Sequence, residues 1–487
     1  MLEKIRPKVA VLSKEMIERV IDEACEILER VGVSVINAEA RRLLGEGGCR
    51  IGDRVRIPRK LIEECVEMTP SAIRVFDRDG GEALDLEADN VYFDPGSSVL
   101  QFLDYEKMEV RKPLTRDYVD FTRVTAQMEY IKAQSTAMVC ADVSEEILDS
   151  YRLYLSLVYC HKPVVTGIFR KASLPFMFEL LETVRGGGRS LREKPLAIFD
   201  ACPSPPLKWE DLTAQSLIDC ARRGIPSELV SMPLAGATAP VTLLGAVVQH
   251  AAESLSGIVI GQIAAPGAPL IWGGSPTIFD MRAGTTPIGA VETMMIDTAY
   301  AQVGKHLGLP THAYMGASDA KLIDFQGGFE SGMGILMAGL AGINVVSGAR
   351  MLNFENCQSM EKLVLDNELC GMAYRLIDGV CQRDEPIALG LFERLENLRD
   401  GFLANDHTLK WYRAEQQAPG PVVDRSSGDL GSLAGRPSAA DRARERVREL
   451  LAGEDPRPLG DDLERELTRI MEREARRYGM GRLPSRV

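Results

Sequence analysis

The run PSELVSMPL (226–234) is an extended apolar stretch, and it is followed at once by AGATAPVTLLG (235–245), where Ala, Gly and Ala lie in a row before a second proline. Residues this small allow backbone to pack on backbone or a ligand to approach the chain closely. The helical pattern of ESLSGIVIGQIAA comes next, so the segment reads strand, loop, helix.

The same alternation extends in both directions. Extended apolar runs occur at 130–139 (YIKAQSTAMV), 163–169 (PVVTGIF), 195–203 (PLAIFDACP), 268–275 (APLIWGGS), 310–318 (PTHAYMGAS) and 343–350 (INVVSGAR). Helical stretches separate them, among them VETMMIDTAYAQVGKHLG, which closes at Gly308-Leu-Pro310. Repeated strand–helix units predict a parallel α/β sheet. No strand leads into G-x-G-x-x-G, so a (β/α)8 TIM barrel is the better match than an open dinucleotide-binding sheet. Seven strands are found where a closed barrel needs eight.

Before this repeat, residues 13–30 carry apolar positions at helical spacing behind Ser13, a candidate N-cap. Helices are also expected at 37–44 and in IPRKLIEECVEMTP, and short strands in VYFDPGSSVLQFLDYEKMEVRKP. The expected organisation is an N-terminal α+β cap (1–115), the barrel (116–424), and a linker with a helical C-terminal extension (425–487). That tail is dense in Arg and Glu and reads as a solvated helix. The barrel is expected to fold without it.

Composition excludes several classes of function. Across 487 residues the formal charge is -13, which disfavours nonspecific binding to nucleic acid or to an anionic membrane. The N-terminus lacks the apolar core of a signal peptide, and the apolar run near 255–269 is interrupted by Gly, Gln and Pro-Gly, so a cytoplasmic protein without a membrane span is expected. Ten scattered cysteines form no C-x-x-C, and five histidines show no H-E-x-x-H spacing, so no metal site is expected. A G-x-S-x-G elbow is also missing.

From Arg111 to Glu415 the chain resembles the trimethylamine methyltransferase superfamily, in particular its branch without pyrrolysine that includes glycine betaine methyltransferases. The resemblance is carried by PLAGATAPVTLLG, QHAAESLSGIVIGQIAAPGAPLIWGG, FDMRAGTTPIGAVE, YMGASDAKLIDFQGGFESG and GARMLNFENCQSMEKLVLDNELCGM, with RKPLTRDYVDF and GFLANDHTLKWYRAE at its ends. It implies a methyl transfer from a methylated amine to cobalt(I) in a separate corrinoid protein. The cofactor then belongs to that partner and none is bound tightly here; a homo-oligomer is expected. The family's pyrrolysine falls in the stretch matching 351–364, where this chain has ordinary residues, Asn353-Phe354-Glu355 nearest to it. A quaternary ammonium leaves as a neutral tertiary amine without activation, so a chain lacking pyrrolysine suits quaternary substrates, glycine betaine or a related betaine among them.

Such a cation needs aromatic faces and acidic support. The candidates for substrate binding are Tyr92, Phe93, Asp94, Trp272, Phe279, Asp280, Tyr314, Asp319 and Phe325, with Asp280 and Asp319 the preferred acids. A substrate carboxylate would be met by Arg282, His312 or Arg350. Gly236, Ala237, Thr238, Gly273 and Gly274 are the candidates for facing the corrin ring, and no catalytic residue is assigned. Two other readings are a non-catalytic barrel that binds quaternary amines, and a lyase forming a Schiff base on Lys321.

Overall fold

The computed structural model describes residues 5–96, 98–393, 401–427 and 435–486. Ten strands position the site: the antiparallel hairpin β1 (Ile73–Phe76) and β2 (Glu82–Leu86), then β3 (Tyr92–Asp94), β4 (Gln134–Ser135), β5 (Val164–Thr166), β6 (Ala197–Ala201), β7 (Ser227–Ser231), β8 (Leu270–Gly274), β9 (His312–Tyr314) and β10 (Val345–Ser347). Each of the seven expected extended runs contains one of β4 to β10.

Strands β4 to β8 form a five-stranded parallel sheet in chain order, and β9, β10 and β3 form a three-stranded parallel sheet. Single parallel bridges, Phe93 to Ile131 and Trp272 to Thr311, join the two sheets at their edges. At those junctions Lys132 N–H donates to the Phe93 carbonyl and Trp272 N–H to the Pro310 carbonyl, both over 2.8 Å. The sheet topology is therefore two linked parallel sheets rather than one unbroken eight-stranded ladder. One strand of the smaller sheet, β3, comes from the segment expected to belong to the cap, and it pairs Val345–Ser347 in parallel register.

Hairpin β1–β2 turns Ile73, Val75, Leu84 and Leu86 onto Ala133, Val165, Ile198, Ile271 and Val345, residues drawn from both sheets near the strands' N-terminal ends. That end is apolar and filled. Because side chains alternate along a strand, Ile198 and Asp200 share one face, as do Ile271 and Gly273, and Val345 and Ser347. The polar members lie toward the C-terminal ends.

Helices α1 (Lys14–Glu26), α2 (Leu148–Tyr159), α3 (Leu174–Arg185), α4 (Leu243–Ala264), α5 (Val291–His306), α6 (Phe325–Ala341), α7 (Ala439–Ala452) and α8 (Asp461–Arg477) matter below. Ser13 caps α1 by accepting from Met16 N–H. Among the described residues α4 alone is long and apolar enough to cross a membrane, and 83% of its apolar window is buried within the protein. It is apolar on all sides because it packs on neighbours all round.

The tail departs from the expected solvated helix. Leu467, Ile470, Met471 and Ala475 of α8 are buried against α2 and α3, and Ala443, Val447 and Leu450 of α7 are buried as well. The dense Arg and Glu occupy the outer faces and conceal a narrow apolar stripe. Residues 428–434 of the expected linker lie outside the described residues.

Candidate active site

The C-terminal strand ends surround a cavity of about 200 Å³, lined by Thr136, Thr166, Phe169, Asp200, Val230, Met232, Ser275, Tyr314 and Glu355, with Ser98 and Arg152 at one side. Wider clefts of about 650 and 1080 Å³ open elsewhere, beside Tyr92 and Tyr374 and beside Leu376 and Val380, away from these strand ends.

Beneath the cavity lies a chain of buried polar groups. The Asp200 and Glu228 carboxyls are buried as neighbours, and two like charges so close in a dry site disfavour joint ionisation. Burial pushes Asp200 up to about 6, while Glu228 lies well above the usual carboxylate range through burial and the nearby Asp200 and Asp94 charges. His312 Nε2 lies 3.5 Å from Glu228 Oε1 and 3.1 Å from Ser347 Oγ. Ser347 Oγ also lies 2.6 Å from Asp94 Oδ2, so it links His312 Nε2 to the Asp94 carboxyl. Burial drives His312 down to about 3, leaving a neutral ring, and raises Asp94 to about 7.

Glu355 reaches the cavity from an unusual loop. Arg350 has φ +99°, and Asn353, Phe354 and Glu355 follow with φ +52°, +57° and +62°. Three consecutive non-glycine residues in the left-handed region cost on the order of 1–3 kcal/mol each, and such backbone gathers where surrounding structure holds a functional side chain in place. Burial pushes the Glu355 carboxyl up to about 7, held back by a hydrogen bond from Ser275 and raised further by Asp319.

On the facing side, Arg152 of α2 is 1% exposed. It pairs with Asp149 at 3.1 Å, donates to the Thr136 carbonyl at 3.0 Å and to Ser98 Oγ, and lies 4.9 Å over the Phe169 ring. Asp149 Oδ2 also accepts from the Phe169 and Arg170 N–H groups, which ties down the loop after β5. Behind this pair, Ser150 Oγ donates to Glu474 of α8, whose carboxyl burial raises to about 7.

Of the residues expected from sequence, Tyr314 lines the cavity and stands edge-on to His312, ring centroids 5.2 Å apart. Asp94, His312 and Arg350 are buried close to it. Arg350 donates to the Gly96 and Ala137 carbonyls and lies 5.1 Å over Phe121. The others lie elsewhere. Tyr92 points its hydroxyl at Asp85 N–H, and Phe93 packs on Tyr374. Trp272 donates to the Tyr300 carbonyl of α5, on the helix side of β8. Phe279 N–H donates to Ala235, and Asp280 caps an exposed turn by accepting from Arg282 and Ala283 N–H groups. Asp319 accepts from Ile288 and Gly289 N–H groups, and burial raises it to about 6. Phe325 is 86% exposed on α6. Lys321 donates to the Asp319 carbonyl and lies 3.9 Å over Phe354, without lining the cavity.

Packing accounts for most of the small residues. A Cβ on Gly273 would meet His312 Nδ1 at 2.8 Å, and one on Gly274 would meet His250 Nε2 at 2.5 Å. Gly236 has φ +96°, and a Cβ there would meet Met281 at 2.9 Å. In the loop after β7, Ala237 is exposed and Gly236 and Thr238 are half-buried, beside the exposed Met232, Pro240 and Val241. Sequence reasoning missed Arg152, Asp200, Glu228 and Phe169. An acid in the middle of each apolar run, PSELVSM and PLAIFDACP, was a usable signal for Glu228 and Asp200.

With this geometry in place, comparison with known proteins supplies the family. The family model for trimethylamine methyltransferase (MTTB) matches residues 1–479, and the chain belongs to that family. A trimethylamine methyltransferase MttB from Desulfitobacterium hafniense (strain DSM 10664 / DCB-2) is 28% identical over 96% of this chain and 95% of its own length. A glycine betaine methyltransferase from Desulfitobacterium hafniense (strain Y51) is 26% identical over 98% and 99%. The crystal structure of the Methanosarcina barkeri monomethylamine methyltransferase (MtmB) superposes with a TM-score of 0.51 at 11% identity, covering 91% of this chain and 89% of that one. The fold is shared with that enzyme.

Proposed function

We propose that the two parallel sheets close into one (β/α)8 barrel, with β3 as its eighth strand, and that the cavity at its mouth binds a quaternary methylated amine such as glycine betaine for methyl transfer to a separate corrinoid protein. The observation that carries this reading is the cavity itself, where the Asp200 and Glu355 carboxyls stand with the Phe169 and Tyr314 rings. Aromatic faces and carboxylates suit a diffuse cation without N–H donors. At about 200 Å³ the space falls below the usual range for drug-sized ligands and suits a small amine.

The partner's corrinoid supplies cobalt(I), the methyl acceptor. This chain's residues hold the ammonium and keep it dry; Asp200 and Glu355 ionise as the cation arrives and compensate its charge. A tertiary amine leaves neutral, so no proton has to reach it. The surface loop Gly236-Ala237-Thr238 is the proposed approach for the corrin ring, whereas Gly273 and Gly274 are committed to His312 and His250. The reading includes a cytoplasmic homo-oligomer, with the exposed Phe325 and Phe329 of α6 on its surface.

The deciding assay offers a panel of methylated amines with a reduced corrinoid protein and follows methylation of cobalt spectrally. At least one quaternary amine is expected to react faster than trimethylamine. Faster transfer from trimethylamine than from every quaternary amine overturns the reading; tight binding with no methylation by any of them makes the chain a binding protein instead.

A further inference from the structure

We propose that Arg152 is a specificity-determining residue that receives the carboxylate of a zwitterionic methylated amine and thereby turns its ammonium toward Tyr314 and Glu355. The inference rests on the reading of the cavity as a methylated-amine site and adds how that site selects and orients its ligand.

Three observations carry it. Arg152 is the one Lys, Arg or His side chain among the described residues lining the cavity. Its guanidinium is fixed by Asp149, Thr136 and Ser98, yet its buried Nε finds no acceptor among the described residues. A buried donor without a partner is costly unless a ligand supplies one. The basic group also lies to one side. Ser98, Thr136 and Phe169, which surround Arg152, follow the adjacent strands β3, β4 and β5, while Ser275, Tyr314 and Glu355 come from β8, β9 and the loop after β10. Arg152 thus stands across the cavity from Tyr314 and Glu355, with Asp200 of β6 between them.

The other basic residues near the strand ends are unsuited to this role. Arg282 follows Asp280 in an exposed turn, and His312 is neutral. Arg350 is engaged with the Gly96 and Ala137 carbonyls and the Phe121 ring. An arginine also meets a carboxylate with a planar fork of donors, which lysine cannot reproduce.

Binding calorimetry on the full-length protein tests this with glycine betaine, γ-butyrobetaine, whose charges are further apart, and tetramethylammonium, which has no carboxylate. In the native protein at least one zwitterion is expected to bind about 10- to 100-fold more tightly than tetramethylammonium, the worth of charge-assisted hydrogen bonds in a dry site. Arg152→Gln is expected to erase that preference while tetramethylammonium is still bound, with Arg152→Lys restoring part of it. Circular dichroism shows whether each variant is folded, and the comparison in native protein stands even where a variant is not. Tetramethylammonium binding as tightly as both zwitterions overturns the proposal and leaves the cation site intact. Binding of none of the three overturns the amine-site reading and the proposal with it.

Discussion

Gly273 and His312 occupy one space: the nearest position for a side chain on residue 273 is 2.8 Å from His312 Nδ1. The imidazole stands in the gap left by the glycine, and from there it hydrogen-bonds Ser347 and approaches Glu228. Gly273→Ala is expected to cost about 1–3 kcal/mol, the usual penalty of overpacking a filled core. Urea denaturation measures it. A variant of unchanged stability that has lost methyl transfer would instead return Gly273 to the corrin-facing role.

Empty protein is expected to lose stability as the pH rises from about 4 to about 8. Asp94, Asp200, Glu355 and Glu474 are raised to about 7, 6, 7 and 7 in the folded state, so over this window the folded chain holds protons that the unfolded chain has released. Their contribution is complete below the ordinary carboxylate range and is lost as the pH passes the folded values. Cation binding has the opposite sign, since Asp200 and Glu355 must ionise, and should strengthen across pH 6–7 with proton release. Titration calorimetry in buffers of different ionisation enthalpy reads that release, and an affinity independent of pH from 5.5 to 8 would contradict it.

Asp280→Asn is expected to leave the affinity for a quaternary amine unchanged and to lower the melting temperature. Its carboxylate accepts from two backbone N–H groups in an exposed turn, which hold it below the usual carboxylate range. Calorimetry and a thermal melt on the same sample separate the two effects.

Truncation after Asp424 is expected to destabilise the remaining chain rather than leave it intact. Burying a large apolar side chain contributes about 1.5–3 kcal/mol, and Leu467, Ile470 and Met471 are all buried against α2 and α3. Dye binding to exposed apolar surface, together with a broadened thermal transition, would register the loss. A truncated protein that unfolds as cooperatively as the full chain would show that the contact is marginal.

The strand–helix alternation was legible because each strand of a buried parallel sheet is a short apolar run. It did not join β3 to the repeat: Tyr92-Phe93-Asp94 reads as one of several short strands in its segment, and only long-range pairing places it beside Val345–Ser347. The site was less legible. Arg152 comes from a helix and approaches the cavity from outside the sheet, where no strand-end rule looks for it. Trp272 and Asp280 flank a strand end in sequence, yet strand alternation turns the first outward and the turn exposes the second. The tail's charge density hid a buried stripe because apolar positions at helical spacing need be only a few.

The pairing of β3 with β10 also has a consequence for biosynthesis. Tyr92–Asp94 leaves the ribosome long before Val345–Ser347 exists, and at roughly 5–20 residues per second the wait is about 10–50 s. Throughout that interval one edge of the strand has no native neighbour, and unpaired edges recruit other chains. Hairpin β1–β2 lies just ahead of β3 in the chain and offers its own apolar face to whatever has emerged. A nascent chain of this protein is therefore expected to be a client of ribosome-associated chaperones until its tenth strand is made.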